Sequence, residues 1–141
     1  MQQENTLTDL FGPVIHSYSR QNALDDGVLI DVTETAQEAG FKIPVAVTQA
    51  VWDRYIEWTL DDTKRQTYQD LQGRLWDVLW MARAGIAGDN KHKSVVLYQL
   101  YCVPRAPASK AKQPRRTTLK MHIGPGDDHE PVITIMLPGE D

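Results

Sequence analysis

The chain has 141 residues, 41% of them hydrophobic and 24% charged, with a formal net charge of −4 and a single cysteine. Those figures fit one folded domain and exclude a wholly disordered chain, a disulfide framework and a multi-cysteine zinc site. The charge is sorted along the sequence: residues 91–120 carry eight bases (Lys91, Lys93, Arg105, Lys110, Lys112, Arg115, Arg116, Lys120) and no acid, residues 1–90 carry 14 acids against 7 bases, and residues 121–141 carry 5 acids and no base. A domain with one basic stretch between two acidic ones steers toward charged partners without being basic overall.

Residues 1–13 read as a flexible lead-in closed by Phe11-Gly-Pro13, and residues 14–141 as a single domain. Neither a signal-peptide pattern nor a long apolar run is present, so the expected setting is the cytosol with no membrane contact. Ser19 caps a short helix through Asp25, Gly27 stands at its C′ position, and a strand follows near 28–32. Thr33 or Thr35 caps a second helix, Glu34 to Ala39, ended by Gly40, and Pro44 forces an extended connection. Thr48 caps a third helix, 49–59, whose apolar stripe is Val51, Trp52, Tyr55, Ile56 and Thr59. Trp58 lies off that stripe, which predicts an exposed ring available to a partner.

Residues 61–73 stay open between helix and loop, because Asp61-Asp62-Thr63 can cap a turn while Gly73 interrupts the pattern. A largely buried helix over 74–85 follows from Leu75, Val78, Leu79, Ala82 and Ile86, with Trp76 and Trp80 widening its apolar face. The last third changes character. Ser94–Val103, Thr117–Ile123 and Val132–Leu137 are rich in β-branched and aromatic residues and read as three antiparallel strands in a meander. Between the first two strands, residues 104–116 hold three prolines and five bases, which predicts a mobile basic loop. The predicted fold class is α+β: helices in the N-terminal two-thirds packed on the C-terminal three-stranded meander, with one short additional strand near 28–32.

Chemistry-bearing residues are few. Asp127, Asp128, His129 and Glu130 share the turn before the last strand, but adjacent side chains in a tight turn diverge, so a solvated turn is favoured over a metal site. His16, Tyr18 and Arg20 form the densest polar group near the N-terminus; capping explains them more simply than a catalytic role. Cys102, in a strand-like apolar context, reads as a buried small hydrophobe. No phosphate-binding glycine loop, nucleophile elbow or paired-histidine spacing occurs, so no catalytic residue, metal or cofactor is assigned. The residues assigned to partner binding are Arg105, Lys110, Lys112, Arg115 and Arg116 of the basic loop, Trp58, and Asp127 and Asp128 of the turn.

The segments Val14–Val32, Gly73–Ala82 and Gly124–Pro138 resemble an uncharacterised family carried by phages, plasmids and integrative elements of proteobacteria. The resemblance implies a mobile-element protein in the bacterial cytosol and supplies no catalytic residues. By analogy with small proteins of such elements, the expected function is non-catalytic inhibition of a host defence nucleoprotein complex, of anti-CRISPR or anti-restriction type, through charged surface. Two further expectations stand beside it: an accessory nucleic-acid-binding factor for element transfer or replication, and a small hydrolase or transferase built around His16, Tyr18 and Arg20 or around Asp127, Asp128 and His129.

Overall fold

The computed structural model describes residues 18–87, 92–105 and 110–141. Helix α1 (Arg20–Asp25) begins where the Ser19 hydroxyl accepts from the Asn22 N–H at 2.9 Å and ends at Gly27, whose φ of +77° favours glycine. Strand β1 (Leu29–Asp31) leads to α2 (Thr33–Glu38). Neither Thr33 nor Thr35 caps α2; the Thr33 hydroxyl instead bridges Asp31 and the Val45 N–H, tying the start of α2 to the next strand. That strand, β2 (Val45–Thr48), lies where the sequence suggested only an extended connection.

Thr48 caps α3 (Gln49–Val51) as expected, but the helix widens at once into a π-helical turn, Trp52–Ile56, closed by the Glu57 N–H on the Trp52 carbonyl at 2.7 Å. The helix therefore stops three residues before the predicted end. Helix α4 (Leu60–Arg65) opens with a capping box, Thr59 and Asp62 bonding each other's backbone N–H groups. Helix α5 (Leu71–Gly85) starts one turn earlier than its apolar spacing suggests, because the Asp70 side chain accepts from Gln72 and Gly73 and stabilises the first turn despite the glycine. Three strands complete the chain: β3 (Val95–Cys102), β4 (Arg115–Pro125) and β5 (Pro131–Met136).

The meander β3-β4-β5 is antiparallel as predicted, but it forms part of a five-stranded sheet of order β1-β2-β5-β4-β3, in which β2 runs parallel to β5 and antiparallel to β1. Strand alternation sends Val96, Tyr98, Leu100, Leu119, Met121, Ile133, Ile135, Val45 and Val47 to one face. There they pack on Ala36, Val51, Ile56, Leu75, Val78, Leu79 and Ala82 of the helices. The outer face is covered only in part. Arg20 of α1 reaches across it to the Thr134 hydroxyl at 2.7 Å and the Ile133 carbonyl at 2.9 Å, and Glu140 accepts from Thr48 and from the Leu137 N–H. Over β3 and the start of β4 the outer side chains stand exposed.

Candidate functional site

The basic segment is placed by a buried polar cluster. Arg74 of α5 is buried, its guanidinium 4.3 Å above the Trp58 ring, with Nε donating to the Ile56 carbonyl and Nη1 to the Val103 carbonyl at 3.1 and 2.9 Å. Burial lowers its pKa to about 10, so it stays charged at neutral pH. Trp58 is therefore 7% exposed, and the expectation of a free ring is overturned: the helix has ended before it, and the indole N–H donates to Thr63 while its face carries Arg74. The π-helical turn explains part of this arrangement, since the Arg54 carbonyl it releases accepts from the Arg105 N–H at 3.0 Å.

Asp62 is fully buried in the same region. Its Oδ2 accepts from Thr59 N–H, the Thr59 hydroxyl and Arg105 Nε at 2.8, 3.0 and 2.7 Å, and Oδ1 faces Arg65 at 3.2 Å. Burial acts to raise the carboxyl, but the bonds from Thr59 and Arg105 outweigh it and hold the pKa at about 2. Gln66 donates its amide to the Pro104 and Ala111 carbonyls at 2.8 and 2.6 Å, and Ala111 is itself buried. The segment predicted as a mobile loop over 104–116 is thus hydrogen-bonded to the domain at Pro104, Arg105 and Ala111. Residues 106–109, between these bonds, lie outside the described residues.

What remains exposed is a strip. Lys110 and Lys112 flank the buried Ala111, and Arg115 and Arg116 open β4; all four are exposed, and none forms an ion pair with a described residue. The register sets Arg116 beside Tyr101, Lys120 beside Leu97 and His122 beside Val95. Tyr101 and Leu97 are 68% and 60% exposed. The apolar residues of this face went unassigned in the sequence, although the alternation in Val95-Val-Leu-Tyr-Gln-Leu-Tyr101 was the available signal.

The other candidates are dispersed. Arg105 is spent on Asp62, and Asp127 accepts from the Arg20 and Gln21 N–H groups at 2.8 and 2.9 Å, serving as the anion at the start of α1; those two bonds lower its pKa. Asp128 is exposed in the turn, its N–H donating to Glu130, and His129 takes a φ of +67°. Among the described residues no group of three or more His, Cys, Asp or Glu is placed to hold a metal ion. His16 lies outside the described residues, the Tyr18 hydroxyl donates to Asp26, which raises its pKa, and Arg20 is committed to β5. Cys102 is half-buried rather than fully buried, its thiol donating to the Thr117 hydroxyl at 3.4 Å; burial raises its pKa, which disfavours a thiolate nucleophile. Trp80, expected in the core, is 51% exposed and stacks on Trp76 with centroids 5.7 Å apart.

Charge is consequently sorted in space. The β1 edge with α1 and α2 carries exposed Asp25, Asp26, Asp31, Glu34 and Glu38, and the opposite edge, β3 with the start of β4, carries the basic strip. Among the described residues no helix is long and apolar enough to cross a membrane. Comparison with curated proteins gave no match, and neither did comparison with solved structures. A family model does match, over residues 8–141, and the chain belongs to that family of unknown function, DUF6573.

Proposed function

We propose that this is a non-catalytic mobile-element protein, acting in the cytoplasm of a bacterial host, that binds and inhibits a host defence nucleoprotein complex by docking its basic strip on a polyanionic surface. One observation carries the reading: Lys110, Lys112, Arg115 and Arg116 are exposed and free of ion pairs with described residues, Arg116 lies beside the exposed Tyr101, and the far edge of the same sheet is acidic. Four such cations, one of them beside an aromatic ring, suit phosphate contact with some stacking and offer no base-reading geometry. The acidic pole orients the approach, since it is repelled by the surface the strip is drawn to. The commitment of Tyr18, Arg20 and Asp127 to capping and packing contacts favours binding over bond-breaking.

The test replaces all four bases by Gln. Binding to a 20-base-pair duplex, and protection of an incoming phage or plasmid in hosts carrying one defined CRISPR or restriction system, are measured for both proteins. Each neutralised phosphate contributes about 0.9 to the slope of log affinity against log salt, so the variant should lose up to about 3.6 units of slope and its protective effect. Duplex binding without protection in any such host would select the accessory nucleic-acid factor instead. Unchanged binding and protection in the variant would remove the strip from the mechanism.

A further inference from the structure

Strand β3 is an edge strand of eight residues, Val95–Cys102, paired with β4 without interruption and carrying no charge and no proline. Edge strands are ordinarily protected by one of those devices or by a bulge. The Ile123 N–H bonds the Ser94 carbonyl, and antiparallel alternation then assigns the ladder bonds to the even positions Val96, Tyr98, Leu100 and Cys102. The N–H and C=O groups of Val95, Leu97, Gln99 and Tyr101 consequently face the edge on which no strand pairs among the described residues. Their side chains all project from the outer face, and three of them are large and apolar, 46%, 60% and 68% exposed for Val95, Leu97 and Tyr101.

We infer that the occupant of this edge is a second copy of the chain, its β3 pairing antiparallel with this β3 across a two-fold axis to make one continuous sheet. The axis falls beside Tyr98, so that Val95 opposes Tyr101 of the second copy and Leu97 opposes Gln99 of the second copy. In that register every odd residue meets an odd residue, which the alternation of edge groups requires, and about eight inter-chain N–H···O bonds form. Tyr101 packs beside a β-branched side chain, a favourable cross-strand pair. Charge permits the same arrangement. Within the sheet the bases on this face, Arg116 and Lys120, lie one strand in from the seam on β4, and Lys93 precedes the paired residues. Three strand spacings, about 14 Å, then separate the β4 strands of the two copies, beyond the screening length of about 8 Å at physiological salt. A seam of this size falls below the standard interface class, so the dimer is reversible with a dissociation constant in the micromolar range. Both outer faces point the same way, placing Arg116 and Lys120 of the two copies on one side.

Sedimentation of the full chain from about 1 to about 300 µM, a range set to bracket micromolar association, should show the mass rising from 16.0 kDa toward twice that value. The double variant Leu97→Lys/Gln99→Lys sets like charges directly opposite across the seam and should stay monomeric, as should Leu97→Glu/Gln99→Glu. Mixed in equal amounts, the two should recover the dimer, because each Lys then meets a Glu. Gln99→Pro, which edge strands tolerate, removes one outward N–H and provides a second block if the charged variants misfold, as judged by circular dichroism. A wild-type chain that remains monomeric throughout, a dimer that survives all three variants, or charge-swapped variants that fail to recombine while folded would each overturn the proposal.

Discussion

Asp62→Asn separates charge from shape at the centre of the buried cluster. The carboxylate has only donors around it: Thr59 N–H, the Thr59 hydroxyl and Arg105 at Oδ2, and Arg65 at Oδ1. An amide of the same shape must therefore turn its own NH2 group toward a donor, whichever way it flips. The Arg105 bond, at 2.7 Å and with Asp62 fully buried, is the strongest of the set and loses its charge assistance. Hydrogen bonds to charged groups contribute about 1.5–3 kcal/mol each, so losing that bond and weakening the capping box should cost about 3 kcal/mol. For a domain of this size that corresponds to roughly 10 °C in Tm. The pH dependence gives the sharper readout. The folded carboxyl titrates at about 2 and an unfolded one near 3.9, so the unfolded chain takes up the proton first as pH falls. The contribution is complete above about pH 4 and disappears toward about pH 2, and urea melts across that window should fall more steeply for the wild type than for the variant. Asp61 is the control, since it pairs with the same Arg65 at 3.2 Å but is exposed; Asp61→Asn should change stability by less than about 0.5 kcal/mol. A Tm for Asp62→Asn within about 2 °C of wild type, or parallel pH profiles, would refute the reasoning.

Gln66→Ala removes the two amide donations that pin Pro104 and Ala111; it should cost about 1–3 kcal/mol and speed proteolytic cleavage between residues 104 and 112, and an unaltered digestion rate would count against the pin. Asp127→Ala should accelerate hydrogen exchange at the amides of Arg20 and Gln21 while leaving those of β4 unchanged, because the carboxylate accepts from both N–H groups. Acidification of the wild type should reproduce that effect: the Asp127 pKa lies below the ordinary carboxylate value, so its contribution to α1 persists through that value and is lost only at lower pH.

The elements that were legible are those fixed by local chemistry. Ser19 and Thr48 cap where a short side chain precedes an apolar period, Gly27 and Gly40 take positive φ after their helices, and the alternating residues of β3 to β5 make a meander because consecutive strands pair with their neighbours. Strand β2 was not legible, since its partner β5 lies more than 80 residues on and its four residues carry no turn signal to frame them. Trp58 was misplaced because helical spacing was extended past Ile56, where the π-helical turn had already altered the phase. Of the candidate site, the four exposed bases could be read as a run, but the commitment of Arg105 depends on Asp62, 43 residues away in the chain, and no local pattern marks that pair.

The polar cluster also bears on why not every base of the run is free at the surface. Arg105 is neutralised by Asp62, and the Lys120 ammonium donates to the Glu140 carbonyl, so part of the basic run is consumed in holding the chain. Burying a charged pair is a poor route to stability by itself, because well-packed apolar side chains of similar volume commonly match or exceed it. What such a cluster does supply is direction. Gln66 and Arg74 donate to the Pro104, Ala111 and Val103 carbonyls, which hold the segment where it leaves β3 and again ahead of β4. An apolar replacement could restore the melting temperature and still misplace Lys110 and Lys112. Stability and partner binding should therefore separate in apolar variants of this cluster, whereas in the hydrophobic core around Val78, Leu79 and Met121 they should fall together.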